Sequence, residues 1–295
     1  MRPLFYDITK IMHTKDWIIL IFLAAIWSSA FMFIKIATPD MGATFLVTVR
    51  LLLAGIIFVP FLLQAKYRKH FRSQFQGILI LAVTNNALPF ALFSYASLGA
   101  NSNMLAILNG STAFITMLIA YFWLKEKISA FQLFGILLGF VGILVLVNPA
   151  NASTTLFSSL ACLLGATCYS FSGNYIQKYA KDSNKFVLIG WSLFFGGLVI
   201  APIGLFNMPD HFPNTNSILS VLWLGLISTG LAYLAYVRLI ERIGAVRTST
   251  VTYLIPAFGI LWGALFLNEV ITLIITIGFV LVMAGTYFAN TSKPS

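Results

Sequence analysis

Apolar stretches of about twenty residues recur from Trp17 almost to the end of the chain, separated by short polar interruptions. A helix rising 1.5 Å per residue crosses a ~30 Å hydrocarbon core in that length, so each stretch predicts a transmembrane helix. The pattern predicts ten, over residues 17–37, 43–63, 75–97, 103–123, 130–147, 156–179, 186–206, 218–240, 245–267 and 271–288. The first follows a basic leader, and "SSA" at Ser28 to Ala30 imitates a cleavage site. Its apolar run continues past that point, so no cleavage is expected.

Composition agrees. The 295 residues are 59% hydrophobic and 9% charged, with a mean hydropathy of +0.93, whereas a soluble domain carries roughly 25% charged residues. The fold class is therefore an all-α integral membrane protein. Cys162 and Cys168 both fall in the sixth segment, about 240° apart around a helix, and read as reduced packing residues.

The net charge of +10 is distributed by loop. Alternate loops hold Arg2, Lys10 and Lys15; Lys66, Arg68, Lys69 and Arg72; Lys125 and Lys127; Lys178, Lys181 and Lys185; Arg242 and Arg247; and Lys293. The intervening loops, among them "TPDMG", "NPANAST" and "NMPDHFPNTN", hold almost none, with Lys35 the lone cation at a helix end. Under the positive-inside rule both termini are cytoplasmic, and ten crossings agree with that parity. The basicity thus reports orientation in a lipid bilayer and gives no reason to expect nucleic acid as a partner.

A duplication runs through the chain. "LKEKIS" at Leu124 to Ser129 and "LNEVIT" at Leu267 to Thr272 share a register, and a fixed offset of 143 residues also matches Leu118 with Leu261, Gly135 with Gly278 and Gly142 with Gly285. Each unit then has five crossings, and an odd number inverts the second unit relative to the first. The expected organisation is a cytoplasmic tail (1–16), a first five-helix repeat (17–149), a second (150–290) and a C-terminal tail (291–295). Inverted repeats with a site at their interface characterise secondary transporters.

The ten-segment pattern, "TVRLLLAG" in the second segment and the hairpins "AYFWLKEKISAFQLFGILLGFVGILVL" and "IPAFGILWGALFLNEVITLIITIGFVLVMAG" resemble the drug/metabolite transporter superfamily, specifically its EamA type, over nearly the whole chain. The resemblance implies export or exchange of amino acids and other small metabolites. One departure concerns the family's proline thirteen residues before the glutamate. It is present as Pro256, but its repeat partner is Ala113, so the fourth segment is expected to be less kinked than the ninth.

Polar groups in a membrane interior face protein or a water-filled cavity, and here they fall at repeat-related positions. Asn85 and Asn86 correspond to Ser228 and Thr229, Asn109 to Thr252, and Phe90 to Tyr233, while Trp27 lies opposite Tyr169 with one residue of slippage. With Tyr253, the ten residues Trp27, Asn85, Asn86, Phe90, Asn109, Tyr169, Ser228, Tyr233, Thr252 and Tyr253 form a candidate substrate site. Amides and hydroxyls would bind charged groups without fixed charge, and the rings would supply apolar area and cation–π contact. The Asn, Ser and Thr groups are also explained as interhelical hydrogen bonds of ~0.6 kcal/mol each. "NNALP" and "STG" place helix-weakening residues at matching depths.

Glu126 and Glu269 read as structural. Each precedes a helix whose dipole favours a carboxylate, and Ser129 or Thr272 stands ready to cap it. "GILLG", from Gly135 to Gly139, matches a small-xxx-small contact, which leaves open either a monomer or a homodimer through the fifth and tenth segments. Arg50 lies about seven residues, ~10 Å, below the outer end of its segment, with none of the eight acids at its depth. It is read as an outer anchor that snorkels to the interface, with anion contact as the alternative.

No metal-ligand cluster, phosphate loop or nucleophile grouping stands out, so neither a cofactor nor a metal is expected and an embedded enzyme is disfavoured. The function expected is a multi-pass carrier of the cell inner (plasma) membrane. It would move an amino acid or related amphipathic small molecule by alternating access, with uptake of a nucleoside or S-adenosylmethionine as the alternative.

Overall fold

The computed structural model describes residues 13–147, 153–248 and 250–290. Residues 1–12 of the N-terminal tail, residues 148–152 of "NPANAST", residue 249 and the C-terminal tail lie outside them. Among the described residues the chain is almost entirely helical, with one isolated bridge between Ala100 and Thr154. The helices are α1 (Thr14–Met41), α2 (Ala43–Leu62), α3 (Ala65–Ala96), α4 (Ser102–Leu124), α5 (Ala130–Leu146), α6 (Leu156–Tyr179), α7 (Lys185–Phe206), α8 (Thr215–Ile243), α9 (Val251–Leu267) and α10 (Leu273–Asn290). Seven are long and apolar enough to cross a membrane, while α5, α9 and α10 are apolar but shorter.

Local chemistry explains where the helices depart from the apolar segments. The "AKYRKHFRSQ" stretch has neither glycine nor proline and consists largely of good helix formers, so α3 begins at Ala65 and runs on from polar into apolar sequence. α1 continues through Pro39 to Met41 and stops at Gly42, whose φ of 75° admits the tight turn into α2. Gly244, at φ 87°, ends α8 ahead of the ninth segment, and a single turn (Ala245–Thr248) then precedes α9.

The two halves repeat their local geometry. α4 and α9 both end in a left-handed residue, Lys125 at φ 61° and Asn268 at φ 54°. The following amides close back on the helices, Glu126 N–H on the Ala120 carbonyl (3.3 Å) and Glu269 N–H on the Gly263 carbonyl (3.0 Å). Ser129 Oγ then accepts from Gln132 N–H at the start of α5, and Thr272 Oγ1 accepts from Ile275 N–H at the start of α10. The hydroxyls therefore cap as expected, but the carboxylates go elsewhere. Glu269 Oε1 and Oε2 accept from the backbone N–H groups of Ser102 (2.6 Å) and Asn103 (3.0 Å), capping α4 across the bundle. Glu126 Oε1 instead accepts from Gln177 Nε2 on α6 at 2.6 Å.

α4 also departs from expectation. Without a proline it nevertheless unwinds at Gly110–Ser111, whereas α9 passes through Pro256 unbroken. Hydroxyls supply the cause: Ser111 Oγ donates to the Leu108 carbonyl and Thr112 Oγ1 to the Asn109 carbonyl, competing with the helical ladder. α6 stabilises the second half of α4, with Ser170 donating to the Thr112 carbonyl and Asn174 to the Thr116 carbonyl.

Small residues set the packing. α2 packs on α7, where a Cβ on Gly55 would lie 2.6 Å from Phe194 Cα. α5 packs on α10, its repeat mate: a Cβ on Gly135 would lie 2.4 Å from Ala289 N, and one on Gly285 would lie 2.5 Å from Gly139 N. The "GILLG" contact is thus made within the chain. The other six helices surround the centre, α1 against α9 and α8, and α6 against α4 and α3.

Candidate substrate cavity

Both halves widen their helices at matching positions. Ala82–Ala87 of α3 and Trp223–Leu231 of α8 are π-helical, in the "NNALP" and "STG" regions, and such wide turns re-aim side chains and are frequent at functional sites. They flank a central cavity of about 440 Å³, within the range of small-molecule sites.

Nine of the ten candidate residues line it. α1 contributes Trp27, α3 Asn85 and Phe90, α4 Asn109, α6 Tyr169, α8 Ser228 and Tyr233, and α9 Thr252 and Tyr253. The rings build one wall. The Trp27 centroid lies 5.6 Å from that of Tyr233 and 4.9 Å from that of Tyr236. Opposite, Tyr169 stacks on Phe93 at 6.0 Å and meets Phe90 edge-on at 6.5 Å. Asn109 sits where α4 unwinds, and its amide has no hydrogen-bond partner among the described residues.

Asn86 is the exception. Its amide donates 3.0 Å to Ser192 Oγ of α7 and 3.3 Å to the Leu81 carbonyl, and with 1% of its surface exposed it joins helices instead of lining the cavity.

Arg50 also lines the cavity. Its Nε donates 2.9 Å to Thr229 Oγ1, and its Cζ stands 3.9 Å from the Phe90 ring centroid. At 6% exposure the side chain is held inside the bundle and not at an outer interface. The contacts also give Arg50 a counterpart in the second repeat. Thr229 is the counterpart of Asn86, and Asn86 bonds Ser192, so Ser192 on α7 stands where Arg50 stands on α2.

Other lining residues escaped the sequence reading. Tyr236 is one turn beyond Tyr233, and Thr112 and Thr116 follow Asn109 by three and seven residues. Helical spacing from the residues already identified would have found all three.

Side-chain ties hold the helices together at one end of the cavity. Glu269 ties α10's approach to the start of α4, and Lys35 Nζ donates to the carbonyls of Ser97 (2.7 Å) and Ala100 (2.9 Å), tying α1 to the end of α3. The first part of α4, Ser102–Asn109, packs closely on α9, while Thr112–Ile119 makes almost no contact with it. The two helices therefore diverge toward the Glu126 end.

The EamA-like transporter family model matches residues 15–148 and again 156–291. The chain belongs to the EamA-like transporter family. Full-length relatives of this EamA-type chain include a probable amino-acid metabolite efflux pump of Salmonella typhimurium, 25% identical over 94% of this chain and 95% of that protein. A chloroplastic WAT1-related protein of Arabidopsis thaliana is 25% identical over 93% of this chain and 69% of its own length. One crystal structure superposes with a TM-score of 0.66 at 16% identity, covering 94% of this chain and 98% of that one, a likeness of fold. The chain is thus a multi-pass membrane protein of a transporter family.

Proposed function

We propose that this EamA-type protein is a secondary transporter of the cell inner membrane, with ten crossings and both termini cytoplasmic. It moves an amino acid or related amphipathic metabolite by alternating access. The observation that carries this reading is the central cavity, to which repeat-related positions of both halves, Asn109 with Thr252 and Phe90 with Tyr233, contribute together. The name of the Salmonella relative supports small-metabolite export, and that of the family supports transport.

Alternation follows from the unequal carboxylates. With the 143-residue offset, the counterparts of the Ser102 and Asn103 amides are those of Ala245 and Val246 at the head of the ninth segment. Glu269 is engaged with its amide pair, whereas Glu126 bonds Gln177. The state described here is closed at the Glu269 end, and exchange of these two caps converts it into its mirror state.

Counterflow in proteoliposomes tests the function. Vesicles preloaded with single amino acids, nucleosides, polyamines or S-adenosylmethionine are expected to give saturable exchange for an amphipathic class. Asn109→Leu is expected to lower that exchange about tenfold, the worth of one substrate hydrogen bond to a half-buried amide. Exchange unaffected by Asn109→Leu would contradict a site in this cavity.

A further inference from the structure

Arg50 is the sole charged side chain in the cavity lining among the described residues. Its Nε is taken by Thr229 and its flat face by Phe90, yet Nη1 and Nη2 have no hydrogen-bond partner there. No described carboxylate is paired with it. Asp16 pairs with Arg242 and Asp40 with His211, while Glu126 and Glu269 are engaged as above. A guanidinium at membrane depth is costly without a counter-charge, and a hydroxyl and a ring face offset only part of that cost.

The geometry points to an anion subsite: Arg50 binds the carboxylate of an amphipathic substrate through its two free amino groups, while Trp27, Tyr169 and Tyr233 cover the apolar part. This rests on the transporter reading and names the chemistry of its cargo. A planar guanidinium pairs bidentately with either carboxylate or phosphate. Charge decides between them: a phosphate monoester carries about −1.5 to −2, and one arginine leaves it unbalanced, whereas a carboxylate leaves the pair neutral. Thr229 positions the guanidinium from behind, so the two free amino groups stay turned to the cavity.

The test uses purified full-length protein in detergent, with thermal stability measured against phenylacetate, its neutral analogue phenylacetamide, and inorganic phosphate. Phenylacetate is expected to stabilise in a saturable manner, and phenylacetamide and phosphate to do so at least about tenfold more weakly. Arg50→Gln should remove the preference for acid over amide, and Thr229→Val, which keeps the charge, should weaken phenylacetate binding several-fold. Equal stabilisation by acid and amide, or none by the acid, in the wild-type protein overturns the anion subsite without any variant having to fold. Stabilisation by phosphate alone overturns the choice of carboxylate. Counterflow lost in Asn109→Leu would leave the cavity reading standing in each of these cases.

Discussion

Glu269→Ala is expected to open the closed end of the cavity. The carboxylate accepts two backbone N–H groups at the start of α4, and charge-assisted hydrogen bonds to a helix N-terminus are among the stronger local contacts. Losing both costs about 2 to 3 kcal/mol, roughly a 30- to 160-fold shift in the equilibrium between closed and open. Spin labels on Leu98 and Val270, exposed residues flanking this contact, would report it. The variant should show a new population at longer separation, while Glu126→Ala should not, because Glu126 does not cap a helix in this state. An unchanged distance distribution in Glu269→Ala would mean that the cap only stabilises α4 and takes no part in gating.

The second large effect is expected from Gly285→Leu. A Cβ there already falls 2.5 Å from Gly139 N and 2.7 Å from the Gly135 carbonyl oxygen, both backbone atoms with no rotamer to move aside. The whole α5–α10 contact would have to separate, at a cost of about 3 kcal/mol or more given typical overpacking penalties. Lost monodisperse yield and a lowered unfolding temperature in detergent would check it. Because these glycines meet within the chain, Leu137→Ala on the exposed face of α5 should leave folding intact. If both substitutions were equally tolerated, the close approach of α5 and α10 would be contradicted.

What could be read from the sequence follows from the membrane's constraints. Hydrocarbon leaves a polar mid-helix residue few options, so Asn109, Thr252 and Tyr233 were visible as cavity positions from depth and repeat register alone. Repetition also exposed the turns at Lys125 and Asn268. Tertiary choices were not visible. Asn86 and Asn85 are adjacent and alike, yet the packing of α3 decides that one meets Ser192 and the other the cavity. The partner of Glu269 lies 167 residues away, beyond any local capping rule. Snorkelling is the usual escape for a membrane arginine, so sequence alone points Arg50 to the interface. Its inward course is set by Thr229 and Phe90, on two other helices. The break in α4 was hidden because proline was the expected cause, and neighbouring hydroxyls produced it instead.

The most direct test of alternating access is one reporter in the cavity, read from both sides of the membrane. With Cys162 and Cys168 replaced by alanine, Asn109→Cys would be labelled by a membrane-impermeant thiol reagent applied to one face at a time. Labelling should be fast from the Glu126 face and slow from the Glu269 face, and adding Glu269→Ala should raise the slow rate at the expense of the fast one. Rates that are equally fast from both faces, or that rise together in the variant, would mark a continuous pore and contradict the account.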